Sequence, residues 1–302
     1  MQKLQAYLQL MRPANIVTAI ADILAGAAAS GAILLIINGE VAGENNSYLT
    51  DLLWLVVATI GLYGGGVVFN DVFDAKLDQE ERPERPIPRG DVSVTEGAVL
   101  GGVLLAGGIL STALVSVESF IIAVAVAICA LLYDAWGKHQ LIFGPINMGL
   151  CRGGNLLLGV SLVPAAIADY WYLSLIPIVY IAAITMVSRG EVHGGNRSAL
   201  WGGVGLYTAV IASLAAVAFR EETHWSVLLF LGLFASQIYP PLFRAIRNTK
   251  PQFIGKAVKA GVISLIMLNA VFASIFATGL FGLLVLLLLP LSIGLARYFA
   301  VT

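Results

Sequence analysis

Residues 52–69, LLWLVVATIGLYGGGVVF, hold no charged side chain, and residues 70–78, NDVFDAKLD, follow at once with three aspartates. Crossing a bilayer as a helix takes about 20 mainly apolar residues, because lipid offers no partner for an unpaired backbone group. The first part therefore reads as a membrane-spanning helix and the second as its polar end. The same alternation recurs along the chain, with spans expected near 15–37, 52–70, 95–115, 117–134, 145–166, 170–187, 198–219, 226–243, 257–277 and 280–300. The third and fourth of these, and the last two, are joined by very short connections. The expectation is an all-α polytopic membrane protein with nine or ten transmembrane helices in a single domain, 1–302.

Composition agrees. The 302-residue chain is 59% hydrophobic and 12% charged, against roughly one-quarter charged in a soluble domain. A net charge of −1 excludes a generally basic surface, and no nucleic-acid partner is expected. Cys129 and Cys151 sit in apolar runs without CxxC spacing and read as packing residues. The first residues show no short apolar core followed by a small-residue cleavage site, so the first span is expected to be retained.

Positively charged loops stay in the cytoplasm. If the N-terminus lies inside and the spans alternate, Lys3, Arg12, Lys76, Arg82, Arg85, Arg89, Lys138, Arg189, Arg197, Arg244, Arg247, Lys250, Lys256 and Lys259 all fall on that side, while Glu40, Glu44, Asp51, Glu118, Asp169, Glu221 and Glu222 fall opposite with Arg220. A multi-pass protein of the cell membrane is expected, with its N-terminus and working face cytoplasmic.

That face holds the residues capable of chemistry. Asp71, Asp74 and Asp78 are spaced i, i+3 and i+7, so a helix continued past Asn70 puts three carboxylates on one side. Such a face repels itself unless a cation sits among them, and hard oxygen donors suit Mg²⁺, which takes its remaining ligands from water and substrate phosphates. A solvated acidic helix end paired with arginines is the plainer alternative. The following ERPERPIPRG (residues 81–90) is stiffened by three prolines, holding Arg82, Arg85 and Arg89 nearby. Guanidinium groups bind phosphate oxygens bidentately, so metal ligands and arginines together describe a diphosphate site. Within the first span, Asn15, Thr18 and Asp22 repeat the i, i+3, i+7 spacing. A carboxylate there costs about 2.5–3.5 kcal/mol on insertion scales, so Asp22 is expected to face a cavity, binding substrate or pairing with a residue such as Arg152. Asp134 and Asn155 are weaker candidates.

The run Asn70-Asp71-x-x-Asp74-x-x-x-Asp78, followed by Arg82-Pro83 and Arg85-Pro86-Ile87-Pro88-Arg89-Gly90, resembles the first aspartate-rich motif and loop of the UbiA superfamily of intramembrane aromatic prenyltransferases. Arg12-Pro13 resembles that family's entry to the first helix. Tyr133 and Lys138, followed by Asn147, resemble the loop whose lysine contacts diphosphate. The resemblance implies typically nine helices around a central cavity open toward lipid. It also implies a second acidic motif with two aspartates after the sixth helix. Here that region reads Ser188-Arg189-Gly190-Glu191-Val192-His193-Gly194-Gly195, with Glu191 its only carboxylate, and is similar to the EboC-like branch.

The function implied is Mg²⁺-dependent transfer of a prenyl group from a prenyl diphosphate to an aromatic or other electron-rich lipophilic acceptor, releasing pyrophosphate. Asp71, Asp74, Lys138 and Glu191 are assigned to catalysis. Asn70, Asp71, Asp74, Asp78 and Glu191 are assigned to metal. Asn15, Asp22, Asn70, Arg82, Arg85, Arg89, Tyr133, Asn147, Arg189 and His193 are assigned to substrate. A transporter coupling ions through charges inside the bundle, and a non-catalytic homologue that only binds a prenyl lipid, are the alternative readings.

Overall fold

The computed structural model describes residues 2–39, 48–189, 194–195, 197–223 and 225–299, and all their regular elements are helical. In order the α-helices are α1 (Gln2–Met11), α2 (Pro13–Ala29), α3 (Ala32–Ile37), α4 (Tyr48–Phe73), α5 (Ala75–Glu81), α6 (Val94–Thr112), α7 (Val117–Ala135), α8 (Phe143–Val160), α9 (Ala166–Tyr170), α10 (Leu175–Ser188), α11 (Arg197–Arg220), α12 (Ser226–Arg247), α13 (Pro251–Phe276), α14 (Gly279–Leu286) and α15 (Leu288–Phe299), with short 3₁₀ helices at Gly137–His139 and Trp171–Ser174. Among the described residues eight helices, α9 and α10 taken together as one and α14 and α15 as another, are long and apolar enough to cross a membrane. The count is nine if α1 and α2, bent by 43°, form one span. The 18-residue α8 stands apart because Asn147, Arg152 and Asn155 dilute its apolar character, yet it packs against α2, α7 and α10.

Helix boundaries follow local chemistry. Pro13 and Pro251 open α2 and α13 at positions where a missing N–H costs nothing. Ser93 and Glu96 form a reciprocal capping box at α6, with Glu96 N donating to Ser93 Oγ (3.2 Å) and Ser93 N to Glu96 Oε2 (2.9 Å). Ser116 accepts from Ser119 N at the start of α7. The separate helix α1, ahead of the first span expected from sequence, is anchored by Ala6 and Leu10, which bury against Val68 and Ala75.

The bundle is centred on α2 and α13. Twelve of the seventeen α2 residues are buried, and most are small, which lets neighbouring backbones come close. A Cβ on Gly26 of α2 would collide with Leu156 O of α8, and one on Gly159 of α8 would collide with Ile23 O of α2. Helix α15 has no buried residue, as expected of a lipid-facing element, and Phe219, Trp225 and Tyr298 are among the most exposed large side chains. Gly159→Val should lower the thermal unfolding midpoint in detergent, by overpacking worth about 1–3 kcal/mol. Gly102→Val, where an added Cβ meets nothing within 4 Å, should leave that midpoint unchanged.

Candidate active site

The ends of α4 and α7 and the starts of α2 and α8 meet at one edge of the bundle. Helix α4 stops at Phe73 and α5 resumes at Ala75, with Asp74 at the break. Backbone bonds from Asp74 N to Asn70 O (3.0 Å) and from Asp78 N to Asp74 O (2.8 Å) carry the helical path through it. Asp71 and Asp78, seven residues apart, point the same way, and Arg85 Nη1 donates to both, at 3.0 Å and 2.7 Å. Arg12 Nη2 donates to the same Asp71 oxygen at 2.5 Å.

Asp74 takes a different partner. Lys138, in the connection between α7 and α8, donates to it at 2.6 Å. The expected single face of three carboxylates is thus divided. An i+3 residue sits about 60° around a helix from i, whereas i+7 returns to within about 20°, and cations lie on both flanks. Among the described residues no three acidic, histidine or cysteine side chains converge to hold a metal.

Burial separates the two halves. Asp71 and Asp78 are 2% and 1% exposed, while the Asp74 and Lys138 side chains keep 14% and 12%. Burying carboxylates this deeply is tolerable only because guanidinium groups accompany them. Hydrogen bonding in the buried half is nonetheless incomplete, since Asp78 Oδ1, Arg12 Nε and Arg85 Nε lack partners. Arg12 reaches Asp71 from a left-handed backbone (φ 48°, ψ 68°) at the α1–α2 bend, a conformation that costs a non-glycine residue about 1–2 kcal/mol.

Two hollows open beside this ionic edge. A cavity of ≈ 230 Å³ lies between α2, α4, α7 and α8. Arg12, Asn15, Asn70, Tyr133 and Asp134 line its rim, and Leu62, Tyr63, Gly66, Val67, Val126, Ala130, Cys151 and Asn155 its walls. A second hollow of ≈ 320 Å³ is lined by Lys138, His139, Gln140, Ser188 and Arg189. Tyr133 and Met148 border both. Asn70 Nδ2 donates to Asp134 Oδ1 at 2.9 Å, tying α4 to α7 across the rim.

The remaining expected residues divide by location. Arg189 lines the second hollow and donates to Leu141 O at 3.3 Å. Asn147, in the amide orientation its neighbours select, donates to Cys129 O (3.3 Å) and accepts from Tyr133 N (3.0 Å), fastening α8 to α7. Arg82 is exposed, 3.8 Å from Asp78 Oδ1. Arg89 is exposed too, paired with Asp91 and reaching Gln9. Glu191 and His193 lie outside the described residues.

Deeper in the bundle, Asp22 forms the buried pair that was one of its two readings. Arg152 Nη1 donates to Asp22 Oδ2 (2.7 Å), and its Nη2 to Thr18 Oγ1. Asn155 Nδ2 donates to Asp22 Oδ2 (3.1 Å), Asn269 Nδ2 to Asp22 Oδ1 (2.6 Å), and Thr59 Oγ1 to Asn155 Oδ1 (2.7 Å). The Arg152 guanidinium also lies 5.2 Å from the centre of the Tyr63 ring, within cation–π range. Thr59 and Asn269 were not singled out from sequence. Their one signal was a polar side chain inside an apolar span, which a hydrogen bond within one helix explains as readily.

Fold and site together define an all-helical, multi-pass membrane protein with an ionic edge above an apolar cavity. The chain belongs to the UbiA prenyltransferase family, which matches residues 31–191. It is 30% identical over 164 residues to a digeranylgeranylglyceryl phosphate synthase of Methanothrix thermoacetophila, covering 54% of this chain and 57% of the relative. It is 29% identical over 185 residues to the enzyme of that name from Saccharolobus solfataricus, covering 61% and 60%. These matches span somewhat over half the length of those relatives. The fold resembles an apo UbiA homologue from Aeropyrum pernix K1 (TM-score 0.68, 16% identity, 85% of this chain and 96% of that one). It also resembles an Archaeoglobus fulgidus homologue bound to DMAPP and Mg²⁺ (TM-score 0.63, 14% identity, 90% and 99%).

The buried pair makes a testable demand on stability. Asp22→Leu leaves Arg152 without its carboxylate and should cost about 3–5 kcal/mol, whereas Asp22→Leu combined with Arg152→Met should recover much of that loss. Unfolding of the three proteins in detergent, read as a double-mutant cycle, measures the coupling.

Proposed function

We propose that this chain transfers a prenyl group from a prenyl diphosphate to a lipophilic acceptor and releases pyrophosphate. One observation carries the reading: Arg12, paired with Asp71, stands at the rim of an apolar cavity, and Lys138, paired with Asp74, lines the hollow beside it, with Tyr133 bordering both. An ionic mouth suits the diphosphate and an apolar interior suits the isoprenoid. The family membership and the Archaeoglobus fulgidus homologues bound to DMAPP or GPP with Mg²⁺ support it.

The donor set fits Mg²⁺. Asp71, Asp74 and Asn70 offer hard oxygens, Asp78 Oδ1 is without a hydrogen-bond partner, and an ion that keeps waters and takes phosphate oxygens needs only one or two protein carboxylates. We assign Asp71, Asp74 and Asn70 to that role, with Asp78 holding Arg85, and Glu191 as the carboxylate available for a second ion. Bound Mg²⁺ supplies neutralisation of the diphosphate as the allylic C–O bond breaks.

The chain's own groups do the rest. Lys138, held by Asp74, is placed to exchange that carboxylate for a phosphate oxygen, and Arg12 and Arg189 add positive charge at the mouth. Donors placed where leaving-group charge develops lower the barrier. The apolar walls keep water from the carbocation until the acceptor captures it. The acceptor is read as an aromatic or similarly electron-rich carbon. The glyceryl phosphate in the relatives' names adds phosphorylated glycerol lipids to the compounds to be tried. The excess of Lys and Arg on this edge supports a cytoplasmic side of the cell membrane for it. The transporter reading loses ground because the midbundle pair Asp22–Arg152 is sealed, 2% and 4% exposed, and held by side chains alone.

Purified protein given Mg²⁺, a prenyl diphosphate and acceptors of both kinds should release pyrophosphate, and chelation should stop it. Lys138→Ala and Asp74→Ala should each lower kcat by about 10²–10³-fold. Absence of both Mg²⁺-dependent prenyl diphosphate binding and pyrophosphate release would sink the proposal.

A further inference from the structure

The apolar cavity has a floor, and the floor is polar. Along α4 the lining residues run from Asn70 at the rim through Val67 and Gly66 to Tyr63 and Leu62. Along α7 they run from Asp134 through Ala130 to Val126, and along α8 from Met148 through Cys151 to Asn155. Since α4 and α7 end at the ionic edge and α8 begins there, the deepest ring is Leu62, Tyr63, Val126 and Asn155.

Two members of that ring cannot easily step aside. Asn155 uses both amide hydrogens, on Ala19 O and Asp22 Oδ2, and accepts from Thr59. The Tyr63 ring lies against the Arg152 guanidinium, which is itself paired with Asp22 and Thr18. An alkyl chain pushing past them would have to separate a buried ion pair from its hydrogen-bond partners, an expensive exchange in a low-dielectric interior.

The depth sets a length. Asn70 at the rim stands seven residues from Tyr63 along α4, about 10 Å at 1.5 Å per residue, which an extended alkyl chain spans in about eight bonds. We infer that Tyr63 and Asn155, braced by the Asp22–Arg152 network, form a chain-length stop that fits this protein to prenyl donors of up to about ten carbons. This rests on the prenyl transfer proposed above, and it separates this chain from relatives named for geranylgeranyl products.

The test is Mg²⁺-dependent binding of dimethylallyl, geranyl, farnesyl and geranylgeranyl diphosphates to the full chain in nanodiscs. Affinity should rise about tenfold or more from five to ten carbons, as added methylenes fill an apolar pocket, and should fall at fifteen and twenty. Tyr63→Ala should move the optimum to fifteen or twenty carbons, and Tyr63→Phe should leave it at ten. Val126→Ala opens the same end without touching the network and should shift the optimum in the same direction if Tyr63→Ala fails to fold. Tightest binding of the twenty-carbon donor by the unaltered protein, with the order unchanged in Tyr63→Ala and Val126→Ala, would mean that the tail leaves sideways into lipid and overturns the stop. Failure to bind any of the four overturns the parent proposal and this one with it, an outcome distinct from binding without length selection.

Discussion

A carboxylate in the middle of a membrane-type bundle must be answered by a cation, and Asp22 is answered on both oxygens. Arg152 and Asn155 reach one oxygen from α8, and Asn269 reaches the other from α13. Thr59 brings in α4 through Asn155. Four helices that share no continuous sequence are thereby held to one arrangement. Dispersion between apolar side chains could be satisfied by many relative rotations of these helices. The hydrogen-bond geometry at Asp22 admits few.

The ionic edge obeys the same rule with a looser outcome. Asp71 and Asp78 share Arg85 in a closed cluster, while Asp74 and Lys138 stay partly accessible and Lys138 lines the second hollow. The run of three aspartates therefore separates into a buried part that holds the proline-rich loop and a partly accessible part that meets Lys138. A phosphorylated ligand would meet cations already occupied by carboxylates. Asp71 and Asp74 would hold a divalent ion arriving with it, and the charge that ion supplies would leave Lys138 free for phosphate.

Much of this was legible in the sequence, and the limits have physical causes. The apolar spans map onto the long helices because hydropathy alone decides what lipid will accept. The helix α1 and the break between α14 and α15 were not legible, because one depends on burial of Ala6 and Leu10 and the other leaves hydropathy unchanged. The aspartates, Arg85 and Lys138 were identified by spacing and resemblance, but the division of Asp74 from Asp71 and Asp78 depends on where the Pro-rich loop and the α7–α8 connection fold. Asn269 lies 247 residues from the carboxylate it donates to, a separation at which no local pattern carries information. Arg12 stood out only as the residue before Pro13, and its reach to Asp71 follows from a backbone turn that composition does not reveal.

The close approach of α2 and α8 constrains how this protein can diversify. With Gly26 and Gly159 leaving no room for a side chain between the two backbones, that side of the bundle cannot be recontoured by substitution without parting the helices. Variation in what the cavity admits falls instead to lining positions away from that seam, such as Val67 on α4, Val126 and Ala130 on α7, and Met148 and Cys151 on α8. The seam is thus a fixed foundation and the lining above it is the evolvable surface.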